Sequence, residues 1–219
     1  MKKLAITLAV LIPLSTYSFA NDSTGYVGTG GIQYLKNAQV AMQSEDLFIS
    51  KKIIKVDYLY KNLSNKDAKE TVLFPLPRVD NFFEADFANT EALLKSFKIV
   101  VDGKNIKPEM HVRTFIQKDE KSPLMDVTEE FKQCGFTEKD MLNPWIRSNY
   151  DYLNYQDKLN KCNKPQMQKI LAQFLRDDVI SWSSQVIYSW KQTFKANSLT
   201  KIQHEYKPLV GGSVALYPD

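Results

Sequence analysis

Histidine occurs only twice in this chain of 219 residues, cysteine twice, and glycine eight times. Each scarcity closes a class of chemistry. Two cysteines without clustered histidines make a poor zinc site, which wants four nitrogen or sulfur ligands. No D-x-D-x-D-G loop is present to gather the oxygen ligands that calcium requires. With only His111 and His204, and no G-x-S-x-G turn, a serine hydrolase has few bases to choose from. Charge is equally uninformative: 29 basic residues stand against 25 acidic ones. That balance gives no electrostatic case for nucleic acid or for an anionic membrane surface. Nothing in the composition calls for a cofactor. No internal repeat or low-complexity stretch is visible.

One long apolar run does exist, and it lies at the start. Lys2 and Lys3 precede Leu4 to Leu14, and Ser18 and Ala20 provide small residues before Asn21. That order is the pattern of an export signal, with cleavage expected between Ala20 and Asn21. The run is too short for a bilayer core, which needs about 20 apolar residues. No second such run follows, so no membrane span is expected in the mature chain. Removing residues 1–20 leaves 199 residues and drops Lys2 and Lys3, so the charge is nearly balanced. The expected location is outside the cytosol, in a periplasm or beyond the cell.

The glycines at positions 25, 28, 30 and 31 could in principle cradle a phosphate. A dinucleotide loop needs a strand before the glycines and a helix after them. Here the residues before would be cut away, and I-Q-Y-L after them reads as a strand. The expectation is a flexible mature N-terminus that turns before the first strand.

In an oxidising compartment an isolated cysteine pair forms a disulfide most simply. Cys134 and Cys162 are therefore expected to be bonded, across 28 positions.

Residues 32–116 read as strands, within a first part of the sandwich that spans 21–125. Ile54, Val56, Tyr58 and Tyr60 alternate with polar residues, which is the period of a half-buried strand. T-V-L-F forms the next strand, expected to stop at P-L-P, since Pro75 and Pro77 cannot donate to a ladder. The two strands suggest a hairpin. Asp102-Gly103 between apolar runs predicts a type I′ turn.

From residue 126 the period changes. Asp126 and Glu129 have capping-box spacing ahead of a helix ending near Cys134-Gly135. Thr137 to Asp140 repeats the signal, and Asn143-Pro144 should stop it. Met167, Ile170, Leu171, Phe174 and Leu175 form an amphipathic stripe behind Pro165. Residues 126–178 thus form a helical insertion that contains both cysteines. Strands return over 179–219, with Val186, Tyr188, Trp190 and Phe194 on one face. Ile202, His204 and Tyr206 share another, and K-A-N-S suggests a second hairpin. The fold class is mainly β, an antiparallel β-sandwich with a helical insertion.

Several stretches are familiar as an ordered set: N-D-S-T, G-T-G-G-I, S-E-D-L-F-I-S, V-D-Y-L-Y-K-N, V-L-F-P-L-P, W-K-Q-T-F-K-A and H-E-Y-K-P-L-V-G-G-S. The set resembles a family of exported bacterial proteins catalogued only as a domain of unknown function, over residues 21–212. The resemblance implies no activity, cofactor or catalytic residue. Residues 58–87 also resemble, more loosely, the strand-loop-strand core of the vault/inter-alpha-trypsin-inhibitor domain, which is a β-sandwich.

The remaining candidates are ordinary. His111 and His204 both sit in alternating strands and read as satisfied, part-buried residues. Of the carboxylate pairs, Glu45-Asp46 points to opposite faces of a strand. Glu129-Glu130 suits a helix N-terminus, and Asp177-Asp178 begins a turn. Y-D-Y-L-N-Y, residues 150–155, could stack on a ligand or pack the insertion onto the sheets. The reading is an exported, non-enzymatic envelope module that binds a protein or glycan. The alternative is a periplasmic hydrolase with His204 as base.

Overall fold

The computed structural model describes residues 23–28, 31–35, 39–81, 87–119, 121–146, 152–175 and 180–211. The expected signal and its Ala20–Asn21 junction lie outside those residues, as do Asp177 and Asp178.

The first strands are β1 (Ser23–Gly28), β2 (Gly31–Leu35), β3 (Val40–Ile49), β4 (Ile54–Asn62), β5 (Ala68–Asp80) and β6 (Phe87–Ala88). Helix α1 (Thr90–Ser96) leads to β7 (Lys98–Val101), β8 (Lys104–Ile106), β9 (Glu109–Ile116) and β10 (Met125–Asp126). Five helices follow: α2 (Thr128–Gln133), α3 (Glu138–Met141), α4 (Asn143–Ile146), α5 (Tyr152–Asn160) and α6 (Pro165–Phe174). The chain returns to strands in β11 (Ser183–Phe194), β12 (Leu199–Tyr206) and β13 (Val210–Gly211).

Two antiparallel sheets result. One runs β10-β9-β11-β5-β1-β2, the other β3-β4-β12-β7-β8, and β13 pairs with β6 separately. The sheets meet face to face. Val56 and Tyr58 of β4, Ile99 of β7 and Ile202 and His204 of β12 are buried from one side. Val72, Phe74 and Leu76 of β5 and Tyr188, Trp190 and Phe194 of β11 are buried from the other. Rings bridge the gap: Phe97 stacks on Tyr188 at 4.2 Å, and Tyr60 meets Phe194 at 5.9 Å. The alternation expected for β4 and β12 is observed, whereas β11 is buried on both faces from Val186 to Trp190.

Both predicted hairpins are wrong in one respect. β4 and β5 do not pair with each other but sit in opposite sheets, and so do β11 and β12. The connections are arches that cross the core. Asn62, fully buried, holds them together. Its amide nitrogen donates to the carbonyls of Lys66 (2.8 Å) and Phe194 (2.9 Å). Its amide oxygen accepts from the Ser64 backbone and hydroxyl, both at 2.9 Å. The second arch docks on the first through Asn197 N–H to the Ser64 carbonyl and through the Lys195–Asp67 ion pair. A polar loop between alternating strands fits a hairpin and an arch equally; only the buried amide separates them.

Nor does β5 stop at its prolines, since it continues to Asp80. Pro75 and Pro77 lie beyond Val72 and Leu73, the last residues of β5 that pair with β1 among the described residues. On the other edge the register to β11 shifts between Gln185 and Ile187, opposite this segment. A bulge and a vacant edge are where a strand tolerates proline. The glycine stretch is corrected as well: β1 already begins at Ser23 and pairs with β2 up to Gly28 opposite Gly31. Helix α1 falls inside a region read as strands alone.

The Asp102-Gly103 turn is as expected, with φ of 47° and 78° and Val101 opposite Lys104. The helical unit packs on the same face of the larger sheet, beyond the reach of the smaller one. Trp145 donates its indole N–H to the Ser184 carbonyl, 3.3 Å away. Phe131, Phe136 and Tyr155 surround Trp182. Gln156 clamps Ile180 through both its carbonyl and its amide. The buried residues of sandwich and helices form one continuous cluster.

Local helix signals fared unevenly. Thr137 and Asp140 do form a reciprocal capping box, and Pro165 does open α6. Gly135 takes the left-handed conformation after α2, at φ 83°. Asp126, however, is not the cap of α2. One of its oxygens accepts from Thr128, and the other takes the buried Arg113 at 2.7 Å. Asn143-Pro144 ends α3 but at once starts α4.

Candidate functional site: an apolar cleft between the sheets

Among the described residues, the end of the sandwich opposite the arches carries a cleft. Ile54 begins β4 there, Phe74 to Pro77 belong to β5, Tyr206 ends β12, and Leu93 projects from α1. With Leu209 they line a cleft of about 390 Å³. Phe74, Leu76 and Leu93 are its buried floor. Ile54, Pro75, Tyr206 and Leu209 are half-buried around it, and Pro77 is exposed. The size falls in the range of small-ligand pockets, about 300–1,000 Å³.

The prolines explain why the cleft can stay open. A strand segment without amide hydrogens needs no neighbour on that edge. It can form a lip without leaving donors unpaired. Among the described residues, no carboxylate, imidazole, ammonium or guanidinium lines the cleft, and Tyr206 is its single ionisable group. The described wall can hold an apolar group by burial, with the Tyr206 hydroxyl as its one polar side-chain atom.

A second, smaller cleft of about 210 Å³ is polar, with Arg78, Asp80, Gln117 and Asp119 beside Phe115, Trp182 and Ser183. Asp119 is already engaged by the Lys121 and Ser122 amides, and the Ser122 hydroxyl holds its carboxyl below the usual range. Trp182, 1 % exposed, is committed to the helical unit and has no open ring face for a sugar.

His204, the base of the hydrolase alternative, is 1 % exposed. Phe74 stacks on it at 4.5 Å, and Tyr58, Phe97 and Trp190 complete the enclosure at 5.6–5.7 Å. A base must reach substrate or one intervening water, and these rings cover its approach. His111 comes closer to chemistry than the sequence suggested. Its Nε2 lies 2.7 Å from the Ser189 hydroxyl, across the β9–β11 ladder. Yet Glu109, 83 % exposed, approaches the same nitrogen, at 3.9 Å. In a catalytic triad the acid orients the base through the other nitrogen. Burial lowers the His111 pKa, as befits a neutral ring bonded to a hydroxyl. Tyr188 is pushed up to about 12 by burial and stays protonated.

The sulfurs of Cys134 and Cys162 are bonded, joining the C-terminus of α2 to the turn after α5. Glu45 and Asp46 face opposite sides of β3, across from Tyr58 and Asp57. Glu129 and Glu130 occupy the first turn of α2. Tyr150 and Asp151 lie outside the described residues, while Tyr155 is buried against Phe136 and Trp182. Among the described residues, no group of three His, Cys, Asp or Glu could hold a metal. No helix among them is long and apolar enough to cross a membrane.

A family model described as Domain of unknown function (DUF4424) matches residues 20–218. No curated protein matches the sequence. Among solved structures, one from Legionella pneumophila, described as a candidate nutrient binding protein, is 14 % identical with a TM-score of 0.37. The alignment covers 84 % of this chain and 41 % of that one, so this chain spans under half its length. At that TM-score the likeness carries no structural argument.

Proposed function

With the chain a member of the family described as Domain of unknown function (DUF4424), we propose that it is an exported envelope protein that acts by binding, and that the apolar cleft is its ligand site. The observation that carries this reading is the cleft's lining: eight residues drawn from both sheets and α1, none of them an acid, a base or a nucleophile at neutral pH. The ligand it suits is an uncharged apolar group. A glycan suits it poorly, because a sugar needs several hydrogen-bonding partners and the Tyr206 hydroxyl is the one polar side-chain atom among the eight lining residues. The burial of His204 likewise weighs against the hydrolase alternative. Export is supported by the disulfide and by a family match that begins at residue 20, beside the proposed Ala20–Asn21 junction.

Nile red, an uncharged apolar dye, tests the site. Its fluorescence should rise and shift to the blue on binding. Leu209→Asp and Ile54→Asn, both at the rim, should weaken that binding about tenfold or more. Displacement by an organic extract of the native envelope would identify a free small molecule as the natural ligand. Displacement by the envelope protein fraction would instead identify a partner's side chain. Binding unaffected by both rim variants, or displaced by neither fraction, would defeat the proposal.

A further inference from the structure

Strand β3 is the outermost strand of the five-stranded sheet. One edge pairs with β4 from Val40 to Ile49. Among the described residues the other edge pairs with nothing. Such edges are ordinarily protected by shortness, bulges, prolines or charges within the strand. β3 is ten residues long and contains no proline. Its register shift lies early, between Met42 and Ser44. The stretch after it is apolar and bare: Leu47 is 48 % exposed, Phe48 56 % and Ile49 65 %.

Charges flank this stretch on both sides. Glu45 and Asp46 precede it, and Lys51 and Lys52 follow in the tight turn closed by Ser50 N–H to the Ile53 carbonyl, 3.0 Å. Among the described residues none of the four is in an ion pair. E-D-L-F-I-S-K-K therefore runs from acidic through apolar to basic, which is complementary to itself when reversed.

We propose that this edge pairs, antiparallel, with the same edge of a second copy of the chain. A two-fold axis through paired edges must stand perpendicular to the sheet, so residues brought opposite each other share a face. The register centred on Phe48 satisfies every position. It sets Phe48 against Phe48 of the second copy on the outer face, and Leu47 against Ile49 on the inner face. Glu45 then meets Lys51 directly, and Asp46 lies diagonal to Lys52, within cross-strand reach. Centring on Ile49 keeps Asp46 opposite Lys52 but sets Lys51 against Leu47. Centring on Leu47 leaves Glu45 facing Ile49. The backbone agrees. Ser50 turns its amide toward Ile53, so by alternation Asp46 and Phe48 face β4, while Glu45, Leu47 and Ile49 present their amides and carbonyls outward. In the Phe48-centred register, Leu47 and Ile49 exchange those groups twice across the axis.

Sedimentation velocity over a concentration series reads the association. Wild type should dimerise, and more weakly as salt rises. E45K/D46K and K51E/K52E should each weaken the dimer about tenfold or more, because like charges then oppose. An equimolar mixture of the two variants should dimerise again, as should the fourfold reversal within one chain. L47P removes an outward amide without touching the β4 ladder, and should yield monomer. A wild type that stays monomeric up to about 100 µM would overturn the proposal. So would a dimer that both reversals and L47P leave unchanged.

Discussion

The imidazole of His204 lies 4.5 Å from the ring of Phe74, with the two planes 20° apart. The pair joins the two sheets at the middle of the sandwich, and Phe74 is also part of the cleft floor. A histidine in an alternating strand is thus a core residue here. His204→Ala should lower stability by about 2–4 kcal/mol and Phe74→Ala by about 3–5 kcal/mol. Because the rings touch, the double variant should lose less than the two losses added. Urea unfolding of the four proteins measures the difference. Strict additivity would mean that the stack contributes nothing.

Asn62 should matter as much as a core residue despite its polarity. Truncation to alanine deprives the Phe194 carbonyl of its side-chain donor and the Ser64 amide of its acceptor, while the Lys66 carbonyl keeps the Ser64 hydroxyl. Unpaired buried groups are expensive, so Asn62→Ala should destabilise by about 2–3 kcal/mol. Hydrogen exchange should show the loss first at the two arches, around residues 62–68 and 194–199.

The disulfide should act on the helices more than on the sheets. A loop of 28 positions corresponds to about 3–4 kcal/mol in the chain-entropy model. Cys134→Ser with Cys162→Ser should lower the unfolding midpoint accordingly. Amide protection should fall most from α2 to α6, while β4, β11 and β12 hold.

Acid should destabilise the fold through His111. Burial lowers its folded pKa below the ordinary 6.5. On acidification the unfolded chain therefore takes up the proton first. The stability held by the neutral ring is complete above the unfolded value and is lost as pH falls below it, toward the folded value. Urea midpoints at about pH 7.5 and about pH 5.5 should differ for wild type. His111→Gln should show a smaller difference. The carboxylates shifted downward, Asp57 and Asp140 among them, act only at lower pH.

Much of the architecture was legible because burial leaves a periodic trace. Ile54 to Tyr60, Ile202 to Tyr206 and Met167 to Leu175 announce their buried faces, and Asp102-Gly103 announces its turn; the alternation of Val186 to Trp190 marks only one of the two faces that β11 buries. Pairing partners left no such trace. The loop after Asn62 reads as a hairpin turn because alternation records which face is buried, and says nothing of which sheet buries it. Pro75 and Pro77 read as the end of β5, whereas they lie within it, on an edge that no described residue pairs with. The cleft was hidden for the same reason: Ile54, Leu93, Tyr206 and Leu209 are ordinary apolar residues far apart in the chain, gathered only by the fold. Two prolines one residue apart in a strand were the one local hint. The exposed side of β3 is just as hard to see, since the residues of L-F-I do not record that no described strand pairs with their outer edge.

The central claim is that the cleft between the sheets receives an apolar group. Methyl-labelled protein titrated with Nile red, followed by carbon–proton correlation spectra, tests it most directly. The account predicts shifts confined to the methyls of Ile54, Leu76, Leu93 and Leu209, saturating together and abolished by Leu209→Asp. Shifts centred on other residues, or none at dye concentrations that raise the fluorescence, would contradict it.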